Sequence, residues 1–200
     1  SEFAKLGLII YLGAWCEKII GLASKKKDIK ILNLHSNDVN RKKLTDVIEK
    51  EEPRLVLFNG HGNHDRICGF QQGILIKAND NEYLLKNKII HTLACSSGKT
   101  LAPECIKIGA LVYIGYSEDF KFNHLGKLNN QERLQDVVAN FFLAPAFEAV
   151  ISLIEGDTVE ESYKKSRSLY LENFKMLIAS SKTEYNTTVA SRLFHNIKCQ

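Results

Sequence analysis

Along this 200-residue chain, short apolar runs alternate with segments whose apolar residues recur at helical spacing. Leu6–Leu12, with β-branched Ile9 and Ile10, reads as a first buried strand. Ala14 to Lys25 follows as a helix carrying Trp15, Ile19, Leu22 and Ala23 on its apolar face. Ile29–Leu34 is a second apolar run, and Asn40 to Lys50 then places Leu44, Val47 and Ile48 on one helical face. Pro53 ends that helix, and Arg54–Phe58 is a third run. Asn79-Asp80-Asn81 reads as the turn of a hairpin between Ile74–Lys77 and Glu82–Leu85. Lys88–Ala94 is a fourth central strand, Thr100 to Ile108 a helix, and Leu111–Tyr116 a fifth strand. Such alternation predicts an α/β fold with a mostly parallel sheet and helices on both faces. In such sheets ligands bind beyond the carboxyl ends of the strands.

After about residue 130 the pattern becomes helical: Gln131–Phe142, Ala144–Glu155, Thr158–Ser180 and Glu184–Ile197. Asp157 or Thr158 suits an N-cap, with Glu160 and Glu161 in the first turn. Ser117 to Asn130 reads as a long exposed loop carrying Lys121, Gly126 and Lys127. No internal repeat is visible, so residues 1–200 are read as a single domain with a helical C-terminal part.

Composition changes this picture little. With 44% hydrophobic and 25% charged residues the chain is globular. No apolar run is read as reaching the roughly 18 residues of a membrane span, so no membrane partner is expected. A formal charge of +4 is too mild to predict direct nucleic-acid binding. Ser1-Glu2-Phe3 reads as a cloning scar, and Leu6–Leu12 lacks the basic flank and cleavage pattern of a signal peptide, which points to the cytoplasm. The five cysteines, at 16, 68, 95, 105 and 199, are odd in number and scattered, so a disulfide framework is not expected and a reducing compartment is.

Two predicted strand ends carry candidate chemistry. The third apolar run leads into Asn59-Gly60-His61-Gly62, and the fourth into Cys95-Ser96-Ser97-Gly98. If these strands are neighbours, His61 and Cys95 face one crevice. A nucleophilic Cys needs a His to favour its thiolate and backbone N–H donors for a tetrahedral oxyanion. Gly62, without a Cβ, lets its N–H approach a substrate, and the Cys95 N–H is the natural second donor.

Other readings compete for the same segments. Ser97-Gly98-Lys99-Thr100 mimics the end of a phosphate-binding loop, but Leu93 stands where that motif needs Gly. His61, His64, Asp65 and Cys68 could be taken for a metal cluster, but no C-x-x-C pair completes it, and no metal or cofactor is assigned. His91 is read as a core histidine, and Cys16 and Cys105 as small buried apolar residues. Lys25-Lys26-Lys27 and Arg41-Lys42-Lys43 are read as solvated helix ends.

Asn59-Gly60-His61-Gly62 and Ala94-Cys95-Ser96-Ser97-Gly98, with Cys95 34 residues after His61, together resemble the caspase-like cysteine peptidases of clan CD, closest to the CHAT and separase branch. Ala110 to Asp119 resembles the strand after the nucleophile in that branch, and Gly156 to Ser162 resembles a helix start common in CHAT domains. The resemblance implies a three-layer α/β/α caspase-like fold and a cysteine endopeptidase acting on a polypeptide substrate. It makes Cys95 the nucleophile, His61 the acid–base partner, and the Gly62 and Cys95 N–H groups the oxyanion hole. Leu93 departs from those members that bind a basic P1 residue two positions before the nucleophile. The separase-like branch takes that acid from the later strand end, which by alignment is Asp119, with Glu118 as the alternative, and implies cleavage after Arg or Lys. The same resemblance admits a catalytically silent interaction module and a regulatory or sensor domain as partner; a thiol-dependent amidase or transferase would use the same two residues, and the exposed, basic loop suggests autoprocessing at Lys121, Lys127 or Arg133.

Overall fold

Leu55-Val56-Leu57-Phe58 contains no polar position, and a strand of that kind needs apolar cover on both faces. In the computed structural model, which describes residues 8–10, 14–123, 136–180 and 183–200, these four residues are buried in β3 (Leu55–Asn59). Ser1-Glu2-Phe3, the flanks of the first apolar run, His124, Gly126, Lys127 and Gln131 to Gln135 lie outside the described residues. The chain divides into two compact units, Ser1–Phe120 with Gln200, and Lys121–Cys199.

The first unit is a mixed α/β structure. β1 (Leu8–Ile10) pairs in parallel with β2 (Ile31–Asn33) and runs beside β3. β3 pairs in parallel with β7 (Ile89–Leu93), Leu55 opposite Ile89 and Asn59 opposite Leu93. β7 pairs in parallel with β8 (Val112–Ile114). The crossovers carry α1 (Ala14–Ala23), α2 (Arg41–Glu51) and α3 (Leu101–Lys107). Asn40 caps α2 by accepting the Lys43 N–H at 3.0 Å, and the helix closes at Glu52 in a left-handed conformation directly before Pro53. One core cluster joins Leu44 and Ile48 of α2, Val56 and Phe58 of β3, Ile90 of β7, and Leu101 and Cys105 of α3.

The stretch between β3 and β7 holds an element not predicted above, and one expectation for it is corrected. First, a separate antiparallel sheet is inserted there: β4 (His61–Asn63), β5 (Arg66–Cys68) and β6 (Ile74–Lys77), paired in that order. The turn is made by His64 and Asp65, with the Asn63 side chain accepting the His64 N–H at 2.7 Å. Second, Ile74–Lys77 is a strand but Glu82–Leu85 is a 3₁₀ turn, so these segments do not form a hairpin. Asn81 explains why: its side chain accepts the Lys77 N–H at 2.9 Å and donates to the Leu75 carbonyl at 2.8 Å, folding the chain back locally while Leu84 and Leu85 enter the core.

The second unit holds α4 (Val137–Glu155), α5 (Val159–Ala179) and α6 (Glu184–Cys199). Asp136 caps α4, accepting the Val138 and Ala139 N–H groups at 2.9 and 3.0 Å, and Thr158 with Glu161 forms a capping box on α5. The expected break between Phe142 and Ala144 does not occur; α4 runs straight through Pro145. Proline lacks the N–H that would bond the carbonyl four residues back, which leaves Phe141 without its helical donor. α5 supplies a replacement, since Asn173 donates to the Phe141 carbonyl at 3.0 Å. Tyr170 donates to the Phe142 carbonyl at 3.2 Å and Ser166 to that of Pro145 at 2.8 Å. By length and composition alone α4 is apolar enough to cross a membrane, with mean hydropathy 2.0, but 56% of that stretch is buried within the protein, as in a core helix. Asn140, Pro145 and Glu148 interrupt the run in sequence, but not as a helix.

Asn173→Ala is expected to cost about 1–2 kcal/mol by stranding the Phe141 carbonyl, as read by urea denaturation. Pro145→Ala restores an N–H to that carbonyl, so it should be more favourable in the Asn173→Ala background than alone; equal effects in both would contradict the account.

Candidate active site

Because Asn59 and Leu93 are register partners, β3 and β7 end level with each other. Gly60 adds one more rung, its N–H donating to the Leu93 carbonyl at 3.3 Å. The His-Gly segment and the Cys segment therefore leave the same edge of the parallel sheet, side by side.

They also touch. A Cβ placed on Gly62 would sit 2.8 Å from the Ala94 Cβ and 3.1 Å from the carbonyl oxygens of Cys95 and Arg66. Only glycine allows the two backbones to come this close. Strand alternation turns His61 and Asn63 to the other face of β4, where both are exposed. Cys68 lies directly across from His61 in the β4–β5 ladder, a neighbour the sequence reading left without a role. Cys95 is half-buried, and no hydrogen bond joins its thiol to the His61 imidazole. The structure thus brings Gly62 and Cys95 together through their backbones and leaves the two reactive side chains unjoined.

The segment after Cys95 is held from three sides. Ser96 adopts a left-handed conformation, φ 56°, and donates its N–H to the Glu118 carbonyl at 3.1 Å. Its hydroxyl donates to the Asp119 carboxylate at 2.7 Å. The Gly98 N–H donates to the Tyr116 carbonyl at 2.8 Å, and a Cβ there would sit 2.9 Å from that same oxygen. The Thr100 and Leu101 N–H groups both donate to the His64 carbonyl, at 3.0 and 2.9 Å, tying the β4–β5 turn to the start of α3. Beneath lies a buried hydroxyl layer in which Ser97 donates to the Ala94 carbonyl at 3.0 Å and lies 3.4 Å from the Thr92 hydroxyl. Burial pushes the nearby Tyr113 phenol far above its usual range.

Both acids assigned to substrate binding flank this segment. Asp119 is exposed and hydrogen-bonded to Ser96, one residue from Cys95; Glu118 is exposed and 3.9 Å from the Lys99 ammonium. Each is solvated rather than sunk in a pocket. The Gly98, Lys99 and Thr100 N–H groups, which a phosphate-binding loop would offer to its ligand, already donate to protein carbonyls. Lys121 is exposed, but its N–H donates to the Asn196 side chain at 2.9 Å and its carbonyl accepts from it at 2.6 Å. Lys127 and Arg133, the other suggested autoprocessing positions, lie outside the described residues.

The remaining thiols are unlike Cys95. Cys16, Cys105 and Cys199 are buried. Burial pushes the Cys16 thiol up to about 11, with a hydrogen bond from the Asn59 amide partly opposing, and the Cys105 thiol up to about 12. Burial also raises Cys68. His91 is buried within β7, as a core histidine would be.

Gly62→Ala should destabilise the protein by about 1–3 kcal/mol in urea unfolding through overpacking against Ala94 and Cys95. Gly21→Ala, in α1 with nothing within 4 Å of the new Cβ, should instead gain about 0.5–1 kcal/mol. A neutral Gly62→Ala would remove the close-approach argument. Alkylation of the native protein at pH 8 should modify Cys95 and Cys68 while Cys16 and Cys105 stay protected, read by peptide mass mapping. Folding raises the Cys16 and Cys105 pKa values from 9.0, so their contribution is complete below pH 9 and is lost as pH rises through 11 and 12. The urea midpoint should therefore fall over that range, and fall less in Cys16→Ala.

No protein-family model matches this chain, and no curated protein matches it.

Proposed function

We propose that this chain is a caspase-like cysteine endopeptidase that uses Cys95 as nucleophile and His61 as acid–base partner, and cleaves after Arg or Lys. The observation that carries the reading is the contact of Gly62 with Ala94 and Cys95: a His-Gly segment and a Cys segment leave adjacent parallel strands at one level and meet there. The parallel pair β1–β2 and the parallel sheet of β3, β7 and β8, in that order, suit an α/β/α architecture of that type.

In this scheme His61 takes the Cys95 proton, and the thiolate attacks the scissile carbonyl carbon to form a tetrahedral oxyanion. The Cys95 N–H, which has no acceptor among the described residues, and the Gly62 N–H stabilise it. Collapse breaks the C–N bond, His61 protonates the leaving amine, and a thioester remains. Water activated by His61 then hydrolyses the thioester and regenerates the thiol. Because His61 lies on the other face of β4 from Gly62, this chemistry requires substrate binding to bring the imidazole to the Cys95 thiol. Asp119 and Glu118, both beside Cys95, place negative charge where a basic P1 side chain would extend. Ser96 holds Asp119 in place until the substrate cation competes for the carboxylate. Cleavage after Lys121 would first have to break both of its bonds to Asn196.

A fluorogenic peptide panel tests the proposal with wild type, Cys95→Ala, His61→Ala and Asp119→Ala. Cys95→Ala and His61→Ala should abolish turnover, and Asp119→Ala should selectively lose basic-P1 substrates. Equal activity in wild type and both dyad variants would refute the dyad, and unchanged P1 selectivity in Asp119→Ala would refute its role.

A further inference from the structure

At the opposite, amino edge of the same sheet, the segments that open β3, β7 and β8 converge. Each turns through a left-handed residue: Glu52 (φ 48°), Asn87 (φ 60°) and Gly109 (φ 98°). Backbone hydrogen bonds lock them together, Ile89 to Arg54 at 2.8 Å, Asn87 to Gly109 at 2.9 Å and Leu111 to Lys88 at 2.9 Å, each N–H donating to the second residue's carbonyl. Between them is a cavity of about 540 Å³ lined by Glu52, Arg54, Lys86, Asn87, Lys88 and Leu111, among others. Three cations therefore face one carboxylate.

Lys88 is the telling residue. It lines this cavity at only 8% exposure, and its ammonium makes no hydrogen bond or ion pair among the described residues. A buried charge is normally paired, because its lost hydration is otherwise uncompensated. Burial accordingly pulls the Lys88 pKa down, and the Glu52 carboxylate opposes this only at a distance. Lys86 is exposed at the rim, the Asn87 amide can donate, and Arg54, which already has a partner, adds positive charge to the lining.

We infer that this cavity binds a compact multivalent oxyanion, a phosphate or a polycarboxylate, with Lys88 as its buried counter-charge and Arg54, Lys86 and Asn87 around it. The site lies at the far edge of the sheet from Cys95 and does not depend on the peptidase reading. It takes its rigidity from the interlocked strand openings and its selectivity for anions from the excess of cations. Glu52 tunes it down, so that a singly charged anion gains little.

The test is calorimetric titration of the full chain with pyrophosphate and, separately, with citrate, at constant ionic strength. Saturable binding of at least one is expected. Binding of pyrophosphate alone identifies phosphate as the ligand group, and tighter binding of citrate identifies carboxylate. Lys88→Met should weaken binding by about tenfold or more, the loss of one desolvated charge-assisted contact. Glu52→Gln, which removes the opposing carboxylate at the cavity wall, should tighten it and keeps the test open should Lys88→Met fail to fold. No saturable binding of either anion by the wild-type chain would overturn the assignment, as would unchanged affinity in a folded Lys88→Met or weaker binding in Glu52→Gln.

Discussion

The parallel register of β3 on β7 is the constraint on which the first unit depends. Pairing Leu55 with Ile89 at one end and Asn59 with Leu93 at the other makes the two strands begin and end together. Their loops are consequently stacked at both edges. At the carboxyl edge this sets Gly62 against Ala94 and Cys95; at the amino edge it sets Arg54 beside Lys88 and Ile89. A shift of one residue would turn every side chain of a strand to the other face, and apolar Leu55 to Phe58 of β3 and the buried Ile90, His91 and Thr92 of β7 would meet different partners.

The segment after Cys95 shows how little of its support comes from side chains that advertise themselves in a sequence. Carbonyl groups of Glu118, Tyr116 and His64 hold Ser96, Gly98, Thr100 and Leu101. Such bonds leave residue type almost free at the acceptor positions. They also explain why Ser97-Gly98-Lys99-Thr100, close in composition to a phosphate-binding loop, has its amides turned inward. The same principle appears in the helical unit, where the carbonyl orphaned by Pro145 is satisfied by an amide from a different helix.

Most elements of both units were legible as periodicity: β3, β7, α2, α3, α5 and α6 follow from apolar runs or helical spacing. The failures share a cause. Glu82–Leu85 read as a strand because the turn-like Asn79-Asp80-Asn81 precedes it, yet Asn81 diverts the backbone into a 3₁₀ turn. The break expected before Ala144 does not form, because Asn173 satisfies the carbonyl that Pro145 leaves without its helical donor. The β4–β5 hairpin carries too few apolar positions to show a period. Within the candidate site, His61, Gly62, Cys95 and Asp119 were legible as residue types at strand ends. Ser96 as the partner of Asp119, and Cys68 opposite His61, were not.

By itself the sequence determined the alternation of strands and helices, the helical character of the C-terminal part, and the presence of a His-Gly and a Cys segment after two apolar strands, because these follow from local apolar spacing and chain order. Tertiary structure alone decided which strands are neighbours, that Gly62 and Cys95 touch, that the acids at 118 and 119 flank the segment after Cys95, and that a buried lysine closes a cationic cavity at the other edge. These are contacts between residues tens of positions apart, set by sheet register and by backbone hydrogen bonds, and neither quantity is written in the spacing of side chains along one segment.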